Sequence, residues 1–202
     1  MKTSALFVLA LVIVVSNCPA QQGEADKARV SEQRLSAEQL AVYQGLLSSW
    51  FGKDQIKLNL AAVTDPLLRS GPFGYDKSCV RGSDFEPEQP DIVHQIREED
   101  LTLLGPGQIR LVPPETGRRD VQQNDPGDAI RQGKPVDAAV GNGFKHGLFT
   151  LSEIRFSKDH LRAIVSFSFV CGGLCGNGST MVMAKLKDGT WKRIRSCGGW
   201  VS

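Results

Sequence analysis

The clearest alternation in the chain runs from Leu161 to Cys171, where Leu161, Ala163, Val165, Phe167, Phe169 and Cys171 are apolar and Arg162, Ser166 and Ser168 fall between them. A period of two is the pattern of a strand with one face on a core. Upstream, Leu148 to Phe156 carries Leu151, Ile154 and Phe156 without strict alternation. That predicts a second strand with a bulge or a change of buried face near Ser152. The polar turn Ser157-Lys-Asp-His160 joins the two as a hairpin. Downstream, Thr180 to Leu186 and Thr190 to Ser196 flank Asp188-Gly189, the signal of a two-residue type I′ turn. In that register Leu186 faces Trp191, Met183 faces Ile194, Thr180 faces Cys197 and Lys185 faces Lys192. Like charges directly opposite each other place this end of the hairpin at the surface. Cys171 ends one strand, Cys175 lies in the following loop and Cys197 opposes the start of the next strand, so these three cysteines are expected at one end of the sheet.

Helical spacing is plainest at Leu40, Tyr43, Leu46, Leu47, Trp50 and Phe51, opened by the capping-box sequence Ser36-Ala-Glu-Gln39 and closed by Gly52. Its wide apolar face predicts a helix lying across the sheet. Ile56, Leu58 and Leu60 predict a strand that Thr64-Asp65-Pro66 stops. Residues 67–89, rich in Gly, Pro and charge, read as a loop pinned through Cys79. The spacing of Ile92, Val93, Ile96 and Leu103 predicts a short helix between Asp91 and Leu104, ended by Gly105-Pro-Gly107. Gln108 to Val112 predicts a strand terminated by Pro113-Pro114, and 115–143 is polar and irregular. Within it Asp125-Pro126, with Gly133 and Pro135 beyond, brackets one or two helical turns. The expected fold is α+β: a long N-terminal helix packed on a mainly antiparallel sheet of about four to six strands, ending in a C-terminal β-meander.

Composition excludes little: 202 residues, 41% hydrophobic and 23% charged, suffice for one domain with a core. The net charge of +2 and the lack of a long Lys/Arg run argue against a nucleic-acid partner. The first residues change the picture more. Lys2, the apolar run Ala5 to Val15 and the site Cys18-Pro-Ala20 compose a secretory signal peptide, and the run is too short to span a bilayer. The organisation expected is signal peptide 1–20, mobile leader 21–35 and a single domain 36–202, in the periplasm or outside the cell. Val15-Ser-Asn-Cys18 is the competing signal, by which Cys18 would be lipidated.

Cleavage after Ala20 leaves Cys79, Cys171, Cys175 and Cys197, and in an oxidising compartment four cysteines imply two disulfides. The pairing Cys171 with Cys175 and Cys79 with Cys197 is favoured over Cys171 with Cys197 and Cys175 with Cys79. A four-sulfur zinc site is the other use of such a set, but zinc cysteines come in closely spaced pairs and only one is present.

Leu151-Ser-Glu-Ile-Arg-Phe156, the strand from Ala163 to Phe169, Cys171-Gly-Gly-Leu-Cys-Gly-Asn-Gly178, Gly189-Thr-Trp191 and Trp200-Val-Ser202 together resemble the C-terminal end of a group of uncharacterised exported bacterial proteins. Arg193, where an apolar residue would follow Trp191, and the extra Cys197 depart from that pattern. The resemblance implies export and no particular chemistry. Helix first and Gly-x-Trp hairpin last is also similar to cystatin-like and nuclear-transport-factor-like α+β folds, which would imply a peptidase inhibitor in the first case.

No catalytic constellation, metal set or cofactor motif is present in the sequence. Gly172, Gly173, Leu174, Gly176, Asn177 and Gly178 form a candidate recognition loop, although a phosphate loop would open a helix whereas this one leads into a strand. Trp50, Trp191 and Trp200 are candidate pocket residues, with core packing as the plainer role of a tryptophan after a hairpin turn. His94, His146 and His160 belong to no metal motif, and Glu98, Glu99 and Asp100 read as a solvated run. The function expected is a non-catalytic, disulfide-stabilised binding or structural module for a macromolecule or envelope component. An enzyme or small-ligand domain with a cleft between sheet and helix is the alternative.

Overall fold

The computed structural model describes residues 29–51, 57–67, 84–87, 89, 92–105 and 108–202. Among the described residues nine strands and five helices follow in the order β1 (Arg29–Ser31), α1 (Ala37–Phe51), β2 (Lys57–Ala61), β3 (Ile92–His94), α2 (Leu101–Leu104), β4 (Gln108–Val112), α3 (Pro114–Gln123), α4 (Pro126–Arg131), α5 (Val136–His146), β5 (Leu148–Leu151), β6 (Arg155–Phe156), β7 (Arg162–Gly172), β8 (Cys175–Lys185) and β9 (Trp191–Val201). The class is α+β, with one mixed sheet of seven strands ordered β4-β2-β5-β7-β8-β9, β6 adding to β7. The half built from β5 to β9 is antiparallel, as expected of a meander. The other half is not: β2 runs parallel to both β4 and β5. Parallel neighbours cannot be joined by a hairpin and need a longer connection, and that is why the sheet is mixed rather than mainly antiparallel.

α1 lies on one face of the sheet, where Tyr43, Leu46 and Leu47 pack with Leu60, Phe149, Val165, Met183 and Trp191. Its capping box forms as the sequence predicts, Gln39 N–H donating to Ser36 Oγ at 3.1 Å and Ser36 N–H to Gln39 Oε1 at 2.8 Å. The opposite face holds two smaller clusters, Leu67, Phe85, Ile164, Val182 and Cys197 in one, and Ala61, Val121 and Leu148 in the other. β7 is therefore covered on both sides. Its apolar Ile164, which interrupts strict alternation, is fully buried for that reason.

Three helices lie in the stretch 115–143 that reads as irregular, and only α4 is announced by its sequence. Asp125 caps α4, accepting from Gly127 N–H and Asp128 N–H, and Gly133 beyond it has φ +87°. α3 begins at the Pro114 expected to end a strand, because proline is well placed at a first helical position. α3 and α5 bury Gly117, Val121, Ala139 and Gly143. A Cβ on Gly117 would meet Leu148, and one on Gly143 would meet Pro126 and the Cys171 carbonyl. Contact through small residues leaves no apolar period to read.

Two other stretches differ from expectation. Of residues 21–35, expected to be a mobile leader, those from Arg29 onward are described: Arg29–Ser31 pairs in parallel with β3, and Leu35 is buried. Ile92 and Val93 belong to that strand rather than to a helix, which starts only after the 3-10 turn Glu98–Asp100. Asp100 in that turn is buried and accepts Arg97 N–H at 2.8 Å, so it is a cap rather than solvated surface.

The last hairpin has a three-residue turn. Gly189 alone occupies the left-handed region at φ +85°, Asp188 does not, and Leu186 N–H donates to the Thr190 carbonyl. This is a type I turn with a glycine bulge rather than type I′. The register shifts accordingly, Lys185 pairing with Trp191, Ala184 with Lys192 and Met183 with Arg193, so Lys185 does not face Lys192. Two further irregularities follow along β9, and Ile194 is 57% exposed beside the first.

Candidate functional site

A wide concavity opens where β2 and β4 begin and β7 ends, against the last turns of α1 and α5. It measures about 1150 Å³, and among the described residues its apolar lining is Trp50, Leu58, Ile109, Phe144 and Phe169. Trp50 sits in the last turn of α1, at helical spacing from Leu46 and Leu47. Its ring stands edge-on to Phe149 and Phe167 at 5.2 Å from each and lies 5.8 Å from Phe169. The aromatic wall is thereby anchored in the core. Phe144 continues the wall from α5, 5.4 Å from Phe169 and 54% exposed.

The rim is cationic. Lys57, Arg110, Lys145 and His146 line the cleft, and Lys57, Arg110 and Lys145 make no ion pair among the described residues. His146 Nδ1 lies 3.0 Å from Asp120 Oδ2. Lys145 has a plainer role as well, since a cation in the last turn of α5 complements its C-terminal dipole. Arg110 has no such role. Its Nε–H donates at 3.0 Å to Oδ1 of Asn59, which is buried, while Asn59 Nδ2 donates to the carbonyls of Lys145 at 3.1 Å and Gly147 at 3.0 Å. One amide thus ties β2, β4 and the end of α5 together and aims the arginine.

A second cleft of about 270 Å³ lies on the α1 side of β3 and β6, lined by Glu38, Glu86, His94, Glu153, Phe156 and His160 among others. Glu153 accepts from Thr64 Oγ1, from His94 N–H at 2.8 Å and from His94 Nδ1 at 2.9 Å. This polar knot joins β3 to the irregular break after Ser152. Burial, followed by the charge of Glu153, holds the Tyr43 phenol well above its ordinary pKa, and its hydroxyl donates to the Ser152 carbonyl at 2.8 Å. His160 has φ +54° and pairs with Glu38 and Glu86 at 2.8 and 3.1 Å. Its hydrogen bond to Glu38 raises its pKa.

The three candidate tryptophans do not converge. Only Trp50 lines the large cleft; Trp191 is buried under α1, and Trp200 borders a hollow of about 90 Å³ with Ser152 and Ser166. Most of the candidate recognition loop is strand. Gly176, Asn177 and Gly178 pair with β7 on one side, and Asn177 and Gly178 pair with Val201 and Trp200 on the other. A Cβ on Gly176 or Gly178 would strike Trp200, so these glycines form its seat. Gly172 ends β7, paired with Cys175, and only Gly173 and Leu174 remain at the turn. Gly173 N–H donates to Asp125 at 2.6 Å, and Leu174 is 82% exposed.

Cys171 and Cys175 form a disulfide, Cα atoms 5.0 Å apart, which removes both the alternative pairing and the four-sulfur zinc site. Cys197 is disulfide-bonded as well, to a partner outside the described residues, where Cys79 also lies. It does not gather with the other two. Cys171 and Cys175 pack beneath α1, whereas Cys197 is on the opposite face beside Ile164 and Val182. β8 starts at Cys175 rather than Thr180, which sets Cys197 about 16 Å along the sheet from Cys171. Among the described residues no His, Cys, Asp and Glu cluster could hold a metal, and no helix is long and apolar enough to cross a membrane.

Asn59, Arg110 and Phe144 are the cleft residues that sequence reasoning misses. The polar Asn59 between Leu58 and Leu60 is the one local signal, and it reads equally as the solvent face of a strand. No family model, curated protein or solved structure matches the chain.

Proposed function

We propose that the protein is an exported, non-catalytic binding module that holds an apolar or aromatic ligand in the cleft between α1, α5 and the ends of β2, β4 and β7. The observation that carries this is the aromatic wall of Trp50, Phe144 and Phe169 around about 1150 Å³, with Phe144 left 54% exposed. Ligand sites are concave, mostly apolar and roughly 300 to 1,000 Å³, with a few polar groups that set orientation, and this cleft lies just above that range. The signal-like residues 1–20 support export, which agrees with a chain that carries disulfides. An envelope component of lipid character is the ligand class that suits both.

The test is titration with the neutral apolar dye Nile red. Saturable binding is expected, with about tenfold weaker binding to Phe144→Ser, since half of a phenylalanine surface is worth about 1.4 kcal/mol. An unaltered affinity in Phe144→Ser would place the dye elsewhere and remove the proposal.

One observation favours a catalytic second reading. His94 is held through Nδ1 by Glu153 and lines the smaller cleft, the arrangement that orients an imidazole as general base. The same contacts serve as a structural staple, so His94→Gln separates the two: loss of an enzymatic turnover without loss of stability supports the base, and loss of stability alone supports the staple.

A further inference from the structure

Resting on that cleft, we infer that its ligand carries a carboxylate head group, and that Arg110 receives it in the orientation Asn59 sets. The Asn59 amide is unambiguous: Nδ2 donates to two backbone carbonyls, so Oδ1 is the atom that faces Arg110 and accepts its Nε–H. Nε is thus spent on the protein. The two terminal amino groups of the guanidinium keep their donors, and no carboxylate among the described residues pairs with them. A planar fork fixed at Nε is suited to bind a carboxylate by donating two parallel hydrogen bonds to its oxygens.

Charge complementarity points the same way. Lys57 and Lys145 line the same cleft and are likewise without an ion pair among the described residues, which concentrates three positive charges on a chain of net charge +2. β4 is an edge strand, and a cation there serves solubility too. That role needs neither a buried asparagine to hold the side chain nor an arginine rather than a lysine. The apolar part of the ligand lies against Phe144 and Phe169, making it an amphiphile with an anionic end.

Calorimetric titration of the full chain with octanoate and with octanol at neutral pH tests this, in native protein, Arg110→Gln and Arg110→Lys. Arg110 is exposed, so each variant should fold, and circular dichroism is the check. Octanoate is expected to bind native protein about tenfold more tightly than octanol, Arg110→Gln to lose that preference, and Arg110→Lys to recover only part of it. Equal binding of both compounds to native protein, or an unchanged preference in Arg110→Gln, would overturn the carboxylate assignment while leaving the cleft as an apolar site. Binding of neither compound would overturn the cleft itself and this assignment with it.

Discussion

The backbone of Gly45 lies directly against the backbone of Trp191, with no room for a side chain between them: a Cβ on Gly45 would strike the Trp191 carbonyl oxygen. α1 therefore approaches β9 as closely as two backbones can, and this contact sets the height of the helix above the sheet. Glycine in a helix interior ordinarily costs about 1 kcal/mol relative to alanine. Here the exchange has the opposite sign. Gly45→Ala is expected to lower stability by about 1 to 3 kcal/mol, as overpacking does, whereas Gly141→Ala in α5, with nothing within 4 Å of its Cβ, should raise it by about 0.5 to 1 kcal/mol. Urea unfolding of both variants checks the pair, and stabilisation by Gly45→Ala would show that the helix rides higher.

Trp191 is also the one buried side chain, among the described residues, whose polar atom lacks a partner, its indole Nε1–H lying under α1. An unsatisfied buried donor costs about 1 to 3 kcal/mol. Trp191→Phe removes that donor together with part of the ring, so the two effects offset and stability should stay within about 1 kcal/mol of native. Trp191→Ala, which empties the site, should cost about 3 to 5 kcal/mol. Thermal or denaturant midpoints that fall equally for both variants would show that the indole finds a partner, such as water.

What could be read in the sequence follows from where the information lies. The β7 alternation, the Ser36 capping box and the Asp125 cap are local signals, and each appears where its residues place it. α3 and α5 were illegible because they dock through Gly117, Ala139 and Gly143, and burial of small residues carries no hydrophobic period. Parallel pairing of β2 with β4 and β5 is a long-range choice that no short stretch encodes. The site suffers most from this: Arg110 matters only once β4 has been laid beside Asn59, 51 residues earlier in the chain.

His160 ties the β6–β7 turn to the start of α1 through Glu38 and to the Phe85 segment through Glu86. Its folded-state pKa is raised, first by the hydrogen bond to Glu38. The contribution to stability is therefore fully present below the unfolded value of about 6.5 and fades as pH rises through the higher folded value. The pair is exposed, so the effect is a few tenths of a kcal/mol. His160→Asn, which tolerates the positive φ, should be less stable than native at mildly acidic pH and equal to it at mildly alkaline pH. A difference that persists at alkaline pH would assign the loss to the turn rather than to charge.

The two disulfide-bonded regions should contribute unequally. Cys171–Cys175 closes a loop with a sequence separation of 4, which a chain-entropy estimate values at about 2 kcal/mol. Cys197 anchors the last strand on the other face, and a bond from it to Cys79 would close a far longer loop, worth about 5 kcal/mol on the same basis. Peptide mapping without reduction should recover the Cys79 and Cys197 peptides joined, and the paired variant Cys79→Ala with Cys197→Ala should lose more stability than Cys171→Ala with Cys175→Ala. Recovery of Cys197 joined to Cys18 would contradict both the pairing and removal of residues 1–20, because Cys18 lies within the signal-like segment. One map thus tests the covalent framework and export together.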